Sequence, residues 1–261
     1  MIYELPTRYD ELTIKIVVST SSPQKIRIRV KDKDLSKTIF TDRYKTVNGE
    51  NTFFVRMPVS GKTALIYIYN EDKGNMGEGE DNTFSVKSIK VQELEKKLDV
   101  VDFSNPYVKN FVIFATKFSF NAGWIGSGSY VSDDKRFVIE YLPILTDDTG
   151  AEVTTPARID ITDGTIQVSQ RQFSDMTIPN RMAILLHEFS HYYLNDNMDD
   201  EIEADLNGLL IYLGLGYPRI EAFEVFSKTF MNAPTEENMQ RYGKIKNFID
   251  NFENHNFYLY E

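Results

Sequence analysis

Between residues 12 and 94 the apolar residues recur with a period of two, and after residue 101 they do not. Residues 25–30 read Lys-Ile-Arg-Ile-Arg-Val, basic and apolar in strict alternation, and Ile14, Ile16 and Val18 repeat the pattern upstream. That period puts successive side chains on opposite faces of a strand. Similar runs fall at 38–44, 52–58, 64–69 and 84–91, separated by turn signals at Ser21-Ser22-Pro23, Asn48-Gly49 and Ser60-Gly61. Six strands at roughly ten-residue spacing predict an all-β N-terminal part, an antiparallel β-sandwich over 1–98.

The rest of the chain is written differently. Residues 92–98 are mostly charged, and Asn105-Pro106 opens a helical run to about 120, with Pro where its missing N–H costs nothing. Strand-like pieces follow at 130–131, 136–142, 157–161 and 165–169, with Asp163-Gly164 as the turn before the last. Helical patterns then occupy about 178–195, 199–213, 218–231 and 235–253. A helix, a small sheet and a run of helices predict an α+β domain over 99–261.

Charge divides the chain at the same place. The net charge of −10 splits into +3 for residues 1–98 and −13 for 99–261. An acidic second half lacks the Lys and Arg that grip phosphates, which excludes nucleic acid as its partner. The basic strand face of Lys25, Arg27, Arg29 and Lys31 suits docking of the first unit to an acidic protein assembly. Cysteine is absent, so neither a disulfide framework nor a thiolate metal site is available. No run of 18 apolar residues predicts a membrane span. Glu4, Asp10 and Glu11 precede the first apolar stretch, the reverse of a signal peptide, so a cytoplasmic location is expected.

The three histidines are His187, His191 and His255. The first two frame His187-Glu188-Phe189-Ser190-His191. Four residues advance a helix by about 6 Å and about 400°, so both imidazoles leave one face, one turn apart. At that separation both can bind one ion at about 2.0–2.1 Å. Glu188 falls about 100° round, beside the ion, where it can take a proton from water. The flanks, from Met182 to Leu186 and from Phe189 to Leu194, are apolar nearly all round, which marks a buried helix. Packed core histidines are the plainer alternative, but a buried His-Glu-His set needs partners, and a metal supplies one.

A catalytic zinc takes three protein ligands and keeps one position open. Ten residues past His191 comes Glu201-Ile202-Glu203-Ala204-Asp205, with Asp199 or Asp200 as a helix N-cap. Glu201 then stands in the first turn and Asp205 one turn further on the same face. Glu203 competes for the ligand role but lies about 200° round from Glu201, and only Glu201 has an acid at i+4.

H-E-x-x-H followed by E-x-x-x-D resembles the gluzincin zinc metallopeptidases. The resemblance implies a zincin-like domain over 99–261 with a Zn2+ ion held by His187, His191 and Glu201. It makes Glu188 the general base and Asp205 the support behind His187. It implies a metalloprotease, an endopeptidase rather than an exopeptidase, acting on a protein or peptide substrate. It also implies that the strand before the active helix, Thr165, Ile166, Gln167, Val168 and Ser169, lines the cleft and pairs with extended substrate. The specific motifs span about 165–215 and do not reach the sandwich, and the gap from His191 to Glu201 is shorter than in thermolysin-like enzymes. The chain is also similar in overall look to compact proteases of tailed bacteriophages, which implies a virion location. The alternative function is then a structural component of a large assembly such as a virion, with a structural or latent metal site.

Overall fold

The computed structural model describes residues 1–74, 81–232 and 235–254, and the chain divides into two compact units, Met1–Glu95 and Lys96–Glu261. The architecture is mixed α+β, with a large antiparallel sheet at the N-terminus.

The first unit holds β1 (Ile2–Pro6), β2 (Leu12–Asp32), β3 (Ile39–Met57), β4 (Thr63–Asn70) and β5 (Phe84–Glu93) in one hydrogen-bonded sheet. Two long strands replace four of the expected short ones. The turn signal at residues 21–23 does not end β2; it makes a register shift between Thr20 and Gln24, opposite Gly49 at φ +72°. Residues 21–23 of β2 stand against residue 48 alone of β3 and the ladder resumes beyond them, so turn-forming residues act here as a bulge. β3 follows β2 along its length, while the other edge of β2 pairs with β5 over 12–20 and with β4 over 26–32. β2 therefore runs through two arms of the sheet, and Ile14, Ile16, Val18, Ile26, Ile28 and Val30 are all fully buried. On the opposite face Arg27 and Arg29 bind Asp42 at 2.7 and 2.5 Å, and Arg27 binds Glu71 at 2.6 Å. Two of the four cations expected to meet an acidic partner are thus already paired within the sheet. Lys25 and Lys31 lie over the rings of Tyr44 and Tyr67.

The second unit runs α1 (Pro106–Asn121), β6 (Gly128–Val131), β7 (Val138–Leu142), β8 (Ala157–Ile159), β9 (Ile166–Ser169), α2 (Gln170–Phe173), α3 (Ile178–Tyr193), α4 (Glu201–Gly214), α5 (Arg219–Asn232) and α6 (Glu236–Asn254). Its sheet has the order β6-β7-β9-β8, with β7 and β9 parallel. Helix starts follow capping chemistry: Asn105 accepts from the Tyr107 N–H, Thr177 from Asn180, and Asp200 from Ile202 and Glu203. α3 is fixed on two sides. Phe189 stacks on Phe111 of α1 with ring centres 4.2 Å apart. Arg181, wholly buried, donates to the carbonyls of Ser119, Phe173 and Ser174 at 2.5, 3.0 and 2.7 Å. These carbonyls end α1 and α2, where a cation is favoured by the helix dipole. Burial pushes the Arg181 pKa down to about 10, which leaves it charged at neutral pH.

Candidate metal centre

α3 carries His187, Glu188 and His191, and α4 carries Glu201 and Asp205. Gly208, three residues after Asp205 on the same face of α4, lets the two helices meet. A Cβ on Gly208 would stand 3.0 Å from the backbone nitrogen of His187 and 3.1 Å from the Leu186 carbonyl.

The side chains converge at the helix contact. His187 Nε2 and His191 Nε2 lie 3.1 Å apart. Glu201 Oε2 is 3.5 Å from the first and Oε1 is 3.8 Å from the second. Two atoms bonded at tetrahedral angles to one ion at about 2.0–2.1 Å stand about 3.3–3.4 Å apart. The triangle has the dimensions of one face of such a site, and His187, His191 and Glu201 could hold a metal ion. Glu203 is turned elsewhere, its Oε1 accepting from the Asp196 N–H at 3.2 Å. His255 lies outside the described residues.

Contacts behind the rings decide which nitrogen is free. His191 Nδ1 is 2.6 Å from the Met198 carbonyl, which can only accept, so Nδ1 carries the proton and Nε2 turns its lone pair to the cluster. His187 Nδ1 lies 2.9 Å from Asp205 Oδ1, a close contact bent away from a straight hydrogen bond. Asp205 is itself buried and is held by a residue that no motif announced. Arg241 on α6 donates through Nε to Asp205 Oδ2 at 2.8 Å and through Nη2 to Oδ1 at 3.0 Å. The same Nη2 reaches Glu201 Oε2 at 2.9 Å.

The electrostatics follow from this packing. Burial opposes charge on His187, but Asp205 and Glu201 outweigh it and hold the imidazole up to about 10. His187 in turn holds the Glu201 carboxyl down at about 2, against the burial that would raise it. A metal ion among the three ligand atoms would take the place of that proton and answer the same carboxylates. Burial pushes the Glu188 carboxyl up, against the pull of both histidines and of a hydrogen bond from the backbone N–H of Ile159 on β8.

The strand expected to pair with substrate requires a correction. Ile166, Gln167, Val168 and Ser169 form β9, which has β7 on one side and β8 on the other, and Thr165 just precedes it. Both edges of β9 are engaged, so it offers no free backbone to an added strand. The sheet edge on this side belongs to β8, which pairs with β9 alone among the described residues. Asp160 N–H and Pro156 C=O bond toward β9, so by alternation Ala157 and Ile159 face outward. Ile159 is also the residue whose N–H meets Glu188.

No family model matches the chain, and no curated protein does. Among solved structures the chain is similar to a functionally unknown conserved protein mutant from Bacillus anthracis str. Ames, at 10% identity and a TM-score of 0.22. The match covers 92% of this chain and 61% of that one, so the chain spans less than two thirds of its neighbour's length. No described helix is long and apolar enough to cross a membrane.

Proposed function

We propose that the second unit is a zincin-like metallopeptidase of the gluzincin type. The observation that carries this reading is the 3.1 Å approach of two imidazole Nε2 atoms with the Glu201 carboxylate closing the triangle. Two imidazoles and one carboxylate are a donor set that suits zinc and leaves a fourth position for chemistry. Zinc bound there supplies Lewis acidity that polarises a carbonyl and makes water a nucleophile near neutral pH. The chain's own residues supply the remainder. Glu188, with its raised carboxyl, takes a proton from the attacking water and returns it to the leaving amine. Asp205 and Arg241 keep His187 and Glu201 in place. An extended peptide laid along β8 pairs with the outward groups of Ala157 and brings its scissile bond to the side on which Glu188 meets Ile159.

Glu188→Gln separates binding from catalysis. Purified chain expressed with zinc should carry about one zinc ion, and Glu188→Gln should retain it while peptide hydrolysis is lost. The comparison is a proteome-wide search for new termini produced by the two proteins side by side. Equal inactivity of both against native protein mixtures would leave a metal site without an enzyme.

A further inference from the structure

We propose that the groove between α1 and the edge strand β6, at the end of the sheet opposite β8, docks an extended segment of a partner protein as an added strand. β6 is the last strand of its sheet. The Ser132 N–H donates to the Phe137 carbonyl at 3.0 Å, toward β7. In an antiparallel ladder the N–H and C=O of one residue point the same way and alternate along the strand. Tyr130 and Gly128 therefore face β7 with Ser132, while Ser129 and Val131 face away. Among the described residues no backbone group pairs with those of Ser129 and Val131. An edge of this kind is a template for another strand.

What lies beside the edge selects the occupant. Ile113, Phe114 and Phe118 of α1, with Ile125, Tyr130 and Val131, wall a groove of about 330 Å³. Ile113 of α1 is 56% exposed, and half-buried Tyr130 of β6 turns its ring toward the same helix against Phe118, so apolar surface borders the groove on both walls. Along α1 the groove runs from Asn110 to Asn121. Eleven helical steps span about 16 Å, the length of about five extended residues. A helix on one side and a free edge on the other suit strand addition, in which backbone bonds give affinity and alternate side chains enter the groove. Charged side chains also border the groove. Lys117 and Asp133 line the groove, are exposed, and make no ion pair among the described residues. Asn110 binds the neighbouring Asp134 at 2.7 Å, which puts Asp133 near the start of α1, and Lys117 lies about 10 Å further along the helix. The occupant is thus an extended segment of about five residues, apolar at alternate positions, with a base near one end and an acid about three residues on.

The probe is a set of fluorescein-labelled hexapeptides with Val at alternate positions, one Lys and one Glu at that spacing. A scrambled set and a set N-methylated at alternate amides serve as comparison arms. Anisotropy with the full chain should show binding that falls at least tenfold on scrambling, on N-methylation and in Ile113→Asp. Val131→Pro, which removes an outward N–H, should do the same. A thermal melt checks that each variant folds. Hydrogen exchange on the unaltered chain should show the amides of Ser129 and Val131 slowing with peptide, while those of Gly128 and Tyr130 do not change. Binding that survives N-methylation would make the groove a small-ligand pocket and overturn the proposal. So would no preference over scrambled peptide, or a dimer in which Ser129 and Val131 are protected without any peptide.

Discussion

Asp205 has two cations to serve. One of its oxygens lies beside His187 and both lie on the fork of Arg241, so its buried charge is answered twice. Removing the guanidinium leaves that carboxylate short of a partner and frees Glu201 Oε2 to turn away. Arg241→Ala should therefore weaken zinc binding by roughly 10- to 100-fold, the range usual for groups that orient ligands. Arg241→Lys, with the charge but not the fork, should fall between. Glu201→Ala should lose most of the affinity, and Glu203→Ala, whose side chain serves the Asp196 N–H, should change little. Competition against a chelator of known affinity ranks the four, and an Arg241→Ala chain as tight as wild type would remove the role given to Arg241. The pH dependence has a fixed sign. His187 is raised from 6.5 to about 10, so in the metal-free chain its pairing stabilises the fold fully below pH 6.5 and is lost as pH rises through about 10. Zinc has to displace that proton, so apparent affinity should climb with pH across the same window. The climb should be shallower in Asp205→Asn, and equal slopes would contradict the coupling.

The spacing of His187, Glu188 and His191 was legible because four residues on one helix fix their own geometry, and the same holds for Glu201 and Asp205 on α4. Arg241 was not legible. It stands 36 residues beyond Asp205 and reaches the site only because α6 packs on α4. The role of Ile159 depends on strand order, which periodicity does not reveal: β8 and β9 read alike as short apolar runs, and only the ladder shows which stands at the sheet edge. Gly208 was equally silent, since a glycine inside a helix reads as a weak spot. Its value is the close contact of α4 with the His187 backbone, which leaves a Cβ no ordinary space. Gly208→Ala gains about 0.5–1 kcal/mol of helix propensity. Against that, overpacking of backbone on backbone costs about 1–3 kcal/mol. The net should be a lower melting temperature. The same push moves Glu201 and Asp205 away from the two imidazoles, so zinc affinity should fall with it. A Gly208→Ala chain that melts higher than wild type and keeps its zinc would show that the helices part without cost.

The change of period and the change of charge both fall near residue 98, and the chain divides into compact units after Glu95. What the sequence placed less well was the join. A boundary after residue 98 cuts into a segment that belongs to the helices. Lys97 N–H donates to the Gly214 carbonyl at the end of α4 at 2.9 Å. Val100 and Val101 press on Gly214 so closely that a side chain there would collide with them, and Val101 is 5% exposed. The charged residues before this segment disguise it as a linker, because its few apolar side chains follow no period long enough to read. The second unit should therefore be studied as 96–261, not from further along the chain. Deleting 96–101 removes one buried valine and a backbone hydrogen bond, on the order of 2–3 kcal/mol together. For a unit of this size that corresponds to a fall of roughly 4–12 °C in melting temperature. Calorimetry on the fragments 96–261 and 102–261 measures the difference directly. The shorter fragment should melt lower and expose the end of α4 to faster hydrogen exchange, while the amides around His187 and His191 keep their order of protection. Equal melting of the two fragments would mean that the segment only rests on α4 and that the join lies after it.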